Sequence, residues 1–234
     1  MHYYPLNIHK YIIFLLFMGI VIPSKAQETI VSYIKKNRGF TAVKDSAAYT
    51  NIIRLSTNEL GLHELNEYYP NGNLKRHGWT KVADPRRLYL EGIMESYHNN
   101  GNLAVSAGYK DNKLSDTLKR YYENGLLKEI RFFSSSEASP NEFLFQDQHS
   151  RLIYYADSTG RQQIVNGNGM FEFKDSINSE KGQYIDGLRQ GHWEGTLKKG
   201  KNKFEEWYEK GVLSKGTSTD SMGNVHSYTQ RDVQ

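Results

Sequence analysis

The sequence predicts an all-β fold, an elongated antiparallel meander of repeated β-hairpins behind a small N-terminal cap, and three observations carry the prediction. A phrase of aromatic residue, polar residue, Asn-Gly and leucine recurs along the chain. Its copies leave room between turns for strands of the usual length. The composition holds 17 Tyr and 20 Gly but no Cys, which suits sheets held by packing rather than by disulfides.

The segment 1–26 carries His9 and Lys10, then an apolar run from Tyr11 to Ile22, then Pro23 and the small-x-small sequence Ser24-Lys25-Ala26. This order reads as a secretory signal peptide cut after Ala26. The run falls short of the roughly 20 residues that a spanning helix needs. No membrane span is expected after cleavage, and the mature chain is expected in the periplasm or outside the cell. Removing residues 1–26 takes away Lys10 and Lys25, so 30 basic side chains become 28 against 26 acidic ones, a net charge of +2. That near-balance argues against nucleic acid as a partner, because binding several phosphates needs a clustered basic face. The one dense basic run, Lys198-Lys199-Gly200-Lys201-Asn202-Lys203, reads as a solvated hairpin tip.

Residues 27–65 break the repeat. Ile30-Val31-Ser32-Tyr33-Ile34 and Thr50-Asn51-Ile52-Ile53-Arg54-Leu55 suggest a cap of two strands, or of a strand and a short helix. The repeat proper starts with Tyr68-Tyr69-Pro70-Asn71-Gly72-Asn73-Leu74-Lys75 and returns as Tyr97-His98-Asn99-Asn100-Gly101-Asn102-Leu103 and as Tyr121-Tyr122-Glu123-Asn124-Gly125-Leu126-Leu127-Lys128. Trp207-Tyr208-Glu209-Lys210-Gly211-Val212-Leu213 repeats it with Lys for Asn, and Tyr154-Tyr155-Ala156-Asp157-Ser158-Thr159-Gly160-Arg161 is a looser copy. A second phrase lies between: Gly108-Tyr109-Lys110-Asp111-Asn112-Lys113-Leu114 matches Gly182-Gln183-Tyr184-Ile185-Asp186-Gly187-Leu188. Asn71, Gly72, Asn100, Gly101, Asn124, Gly125, Gly187 and Gly211 are the expected turn formers, because Asn and Gly enter positive φ cheaply. The loop 134–141, SSSEASPN, divides the hairpins into a first group at 66–133 and a second group with the C-terminal tail at 142–234.

A lone hairpin is marginal in water, so the hairpins are expected to pair edges and share rows of tyrosine and leucine. Cross-strand aromatic pairs contribute about 0.2–1 kcal/mol each.

These phrases, with the frame of Gly182, Tyr184, Gly187, Gly191, Trp193 and Gly195, resemble the MORN repeat variant family over roughly residues 64–225. The resemblance extends to bacterial envelope proteins labelled antitoxin-like and to a Bacteroidetes-type exported subgroup. Members of that subgroup often continue into a TonB C-terminal-like domain, which is expected to be absent here. The resemblance implies a single-layer array of hairpins used for interaction, with no one agreed activity. Toxin neutralisation fits poorly with a signal peptide.

Chemistry-bearing patterns are sparse. The six histidines of the mature chain, His63, His77, His98, His149, His192 and His226, have no metal-ligand spacing, and the absence of Cys removes thiolate ligands and nucleophiles. No Gly-x-Ser-x-Gly elbow occurs. Glu205-Glu206 beside Trp207 invites a glycosidase reading, but strand neighbours point to opposite faces, so one of them is expected to pair with a lysine of the 198–203 tip. Asn166-Gly167-Asn168-Gly169 lacks the remaining parts of a dinucleotide site, and Asp220-Ser221-Met222-Gly223-Asn224 has too few acidic oxygens for a calcium loop. Both read as turns. The expectation is therefore a non-enzymatic interaction or scaffold module of the cell envelope, with no cofactor and no metal. Its partner is an envelope protein, met by a face that includes Tyr69, Tyr97, Tyr122, Tyr155, Trp193, Trp207 and Tyr208. A carbohydrate-binding module using the same rings on a glycan is the alternative. A hydrolase of envelope polymers would need a convergent acidic or histidine site.

Overall fold

The computed structural model describes residues 28–37, 39–133 and 150–229. The expected signal peptide and the 134–141 loop lie outside the described residues. The described residues form one antiparallel sheet of 17 strands, a meander that does not close on itself.

The N-terminal segment contributes three strands rather than two: β1 (Thr29–Ile34), β2 (Phe40–Thr41) and β3 (Tyr49–Thr57), with a single 3-10 turn at Lys44–Ser46. β1 lies between β2 and β3, so the cap is the start of the sheet. From β3 onward each strand pairs with the next. These are β4 (His63–Tyr68), β5 (Leu74–Thr80), β6 (Gly92–Tyr97), β7 (Leu103–Lys110), β8 (Lys113–Tyr121), β9 (Leu127–Phe133) and β10 (Ser150–Ala156). The second group continues with β11 (Gln162–Val165), β12 (Asn168–Lys174), β13 (Ser179–Ile185), β14 (Leu188–Leu197), β15 (Asn202–Glu209), β16 (Val212–Thr219) and β17 (Val225–Tyr228).

The two repeated phrases make two kinds of turn at opposite ends of the strands. Tyr122-Glu123-Asn124-Gly125 is a four-residue turn with a bulge: the Gly125 N–H donates to the Tyr122 carbonyl and the Tyr122 N–H to that of Leu126, each at 2.9 Å. Gly125 sits at φ +83°, a left-handed position that glycine fills without a Cβ clash. The same bonding recurs at Tyr69 to Asn73 and at His98 to Asn102. The other phrase makes two-residue turns with positive φ at both centres, at Asp111-Asn112 and Asp186-Gly187; Asn166-Gly167 turns the same way, and so does Lys210-Gly211, although its sequence resembles the first phrase. That is the hairpin turn whose twist matches its strands.

A flat single layer would leave every side chain half wet. In the second group the sheet curls instead, and three backbone bonds lock the curl: Leu152 N–H to the Gly187 carbonyl (2.9 Å), Gly187 N–H to that of Gly167 (2.8 Å) and Gly167 N–H to that of Ile153 (2.9 Å). The inner face thereby encloses Leu152, Tyr155, Ile164, Phe171, Tyr184 and Trp193. A second cluster, around Ile53, Leu65, Met94, Ala107, Tyr109, Leu114 and Leu118, fills the inner face of the first group. Strand glycines make room for the largest inner side chains. A Cβ on Gly182 would put three indole atoms of Trp193 within 2.5 Å, and Gly195 and Gly216 stand directly opposite Phe204 and Tyr228, whose rings occupy the space.

Candidate interaction surface

The tyrosines expected to form a contact face are largely committed to the sheet. Tyr155 is 3% exposed against Phe171, and Trp193 is fully buried among Phe171, Tyr184 and Tyr208. The Tyr69 hydroxyl donates to the Tyr97 carbonyl (2.8 Å), and the Tyr122 hydroxyl to that of Ala156 (3.0 Å), each tying one repeat to the next. Tyr97 donates to Glu95 (2.7 Å), and burial followed by that bond pushes its phenol up to about 12. Tyr208 and Tyr228 share Glu206, at 2.9 and 2.8 Å. A buried ring whose hydroxyl finds a partner is the stable way to use tyrosine inside a sheet.

The asparagines of the wider turns have a second task that sequence reasoning missed. Asn71 and Asn73 donate to Asn99, Asn100 and Asn102 both donate to the Glu123 carbonyl, and Asn124 donates to the Ser158 carbonyl, all at 2.7–3.1 Å. The turns at that end are thus stacked in a hydrogen-bonded row. A signal was present: Asn73 and Asn102 follow the turn glycine, where conformation does not call for asparagine.

Charged pairs under the inner face were also missed. Glu67 is 3% exposed and paired with Lys75 and Arg76, Glu129 with Arg120 (3.0 Å) and Arg131 (3.4 Å), and Arg189 with Glu180 (2.9 Å) while lying 4.1 Å over the Trp193 ring. These groups form ion pairs with one another, and among the described residues no group of three His, Cys, Asp or Glu could hold a metal ion.

Glu205 and Glu206 fall on opposite faces, but neither meets a lysine of the 198–203 tip. Glu206 serves the two tyrosine hydroxyls inside, while Glu205 faces His192 at 3.7 Å outside. The register explains the correction: Lys203 stands opposite Thr196 and Thr219, with no acid across from it. Asp220 spends its carboxylate on its own turn, accepting from the N–H groups of Met222 and Asn224 and from the Asn224 side chain.

Of the expected rings, Trp207 stands apart. The register puts it on the outer face of β15, opposite His192 in β14 and Lys215 in β16. The imidazole centroid is 4.8 Å from the indole, and the Lys215 ammonium lies 4.4 Å over it. On the same face, Met170 is 64% exposed, with Ile185 and Val212 also open to solvent. An aromatic side chain held between two neighbours, on a face that also exposes apolar residues, is fit for contact with another macromolecule.

Residues 90–111 match the MORN repeat variant family. That stretch covers Leu90, all of β6 with its turn, β7, and the first residue of the next turn. No curated protein matches the chain.

Proposed function

We propose that the chain is a non-catalytic, exported interaction module whose outer face, centred on Trp207, binds a protein of the cell envelope. The observation that carries the reading is the placement of Trp207. Its orientation is fixed on the outer face by His192 and Lys215, and the same face leaves Met170, Ile185 and Val212 open to solvent. Tryptophan in such a setting supplies large contact area at small loss of side-chain freedom. MORN-type hairpins generally serve as binding modules rather than catalysts, and the internally paired acids and tyrosines fit that use. Export rests on the order of features in residues 1–26.

The glycan alternative is less well served. Sugar stacking needs a free ring face, and His192 and Lys215 flank the indole from the strands on either side.

A photo-crosslinking residue at Met170, in cells exporting the full chain, tests the reading. One discrete adduct that disappears with Trp207→Ala is the expected result. An absence of any discrete adduct, or adducts unchanged by Trp207→Ala, would overturn it, and glycan binding lost on Trp207→Ala would replace it with the carbohydrate reading.

A further inference from the structure

At the other end of the same strands, the turn between β14 and β15 is built against its own backbone preference. Lys198, Lys199 and Gly200 take φ values of +53°, +61° and +79° in succession. Two lysines thus hold a conformation that disfavours every residue with a Cβ. The other tight turns largely give such positions to Asp, Asn or Gly, as at Asp186-Gly187 and Asn166-Gly167. The tip is nonetheless well placed, since the Lys199 N–H donates to the Ile177 carbonyl of the adjacent turn at 2.7 Å.

The strained positions carry charge that the protein leaves uncompensated. Lys198, Lys199, Lys201 and Lys203 are exposed, and none makes an ion pair with a described residue. Lys174 joins them, because Lys174, Ser179, Thr196 and Lys203 form one row of direct cross-strand partners. The acids Glu172, Glu194 and Glu205 lie one row further in, and Glu194 is occupied by Lys181 at 2.6 Å. Beside the lysines, Ile177 is 49% exposed.

From this cluster we infer a second contact site: the tip of Lys198, Lys199, Lys201 and Lys203, with Lys174 and Ile177, docks an acidic protein segment that carries apolar side chains among its carboxylates. Lysine ammonium groups are compact point charges that meet carboxylates without demanding a fixed geometry, and the exposed Ile177 asks for more than charge from the partner. Strain kept where it serves binding is a recurrent trade against stability. The inference rests on the reading of the chain as a binding module, but it uses the opposite end of the strands from Trp207.

The test uses the full mature chain and a fluorescent peptide of alternating Glu and Leu, read by anisotropy. The double variant Lys198→Asn with Lys199→Gly relieves the left-handed positions, so Tm should rise by about 2–8 °C while peptide affinity falls at least tenfold. Loss of binding with a raised Tm excludes unfolding as the cause. The wild-type affinity should also drop several-fold when salt is raised, as exposed charges are screened. Unchanged affinity in the double variant overturns the site, as does tighter binding to anionic phospholipid vesicles or to oligo-dT than to the peptide. The Met170 crosslink is read in parallel: its survival in the double variant separates failure of this site from failure of the Trp207 surface.

Discussion

Gly182→Ala places one methyl group where the structure has no room for it. The new Cβ would lie within 2.5 Å of three atoms of the Trp193 indole, which real Cβ atoms essentially never approach. The ring has no easy retreat: it is fully buried, with Phe171 and Tyr184 at 5.8 and 5.2 Å between centroids and the Arg189 guanidinium 4.1 Å over it. Overpacking of this kind costs about 1–3 kcal/mol, and a rigid, enclosed ring puts the site at the upper end. Against it stands about 0.4–1 kcal/mol from the smaller freedom of alanine in the unfolded chain. The net loss is about 2 kcal/mol, equivalent to a fall in Tm of about 4–8 °C for a chain of this size. Urea unfolding followed by tryptophan fluorescence measures it. Adding Trp193→Phe, a smaller ring, should make the pair non-additive by more than about 0.5 kcal/mol, because the two residues share one space. Stability of Gly182→Ala at or above wild type, or additivity with Trp193→Phe, would refute the account of glycine as room for the indole.

Three further outcomes follow from the geometry. Tyr122→Phe keeps the ring and deletes the hydroxyl that donates to Ala156, so unfolding should become easier by about 0.5–1.5 kcal/mol, read from the urea midpoint. For Glu67, burial acts to raise the carboxyl while Arg76 and Lys75 more than offset it, leaving its pKa below the ordinary glutamate value of 4.5. Its contribution is therefore complete above that value and is lost as pH falls through the depressed one; Glu67→Gln should destabilise by about 1.5–3 kcal/mol at neutral pH and flatten the acid limb of the stability profile. Trp207→Ala removes an outer-face ring, so Tm should move by no more than about 2–4 °C while partner affinity falls at least tenfold, and a large loss of Tm would return the residue to architecture.

Much of this fold can be read from the chain because its information is local. Asn124-Gly125 turns by its own backbone preference, and Asp186-Gly187 does likewise, so the position of these hairpins follows from a few adjacent residues, whereas Lys210-Gly211, which resembles the first phrase, makes the other kind of turn. The cap shows where local reading weakens. Phe40–Thr41 is too short to announce itself, and it is a strand because β1 offers an edge to pair with.

The use of each side chain was a different matter. In YYENGLLKE the sequence shows a turn between aromatic and apolar flanks, but that Tyr122 spends its hydroxyl on Ala156, 34 residues on, depends on how far the next repeats are offset. Glu205 and Glu206 could be sent to opposite faces by strand geometry alone, yet their partners came from register, which gave Glu206 two tyrosines and Glu205 a histidine. Trp193 and Trp207 look alike as aromatic residues in neighbouring strands. The curl fixed by Leu152, Gly167 and Gly187 buries the first, while the second falls on the outer side of the same sheet. By itself, then, the sequence determined the hairpins, their order and their turn chemistry, since these rest on φ preferences and alternation over a few residues. Which face is inner, which tyrosines are consumed, and where lysines stand unpaired on a strained turn were decided only by the tertiary structure, because burial and pairing are properties of strands brought together from far apart in the chain.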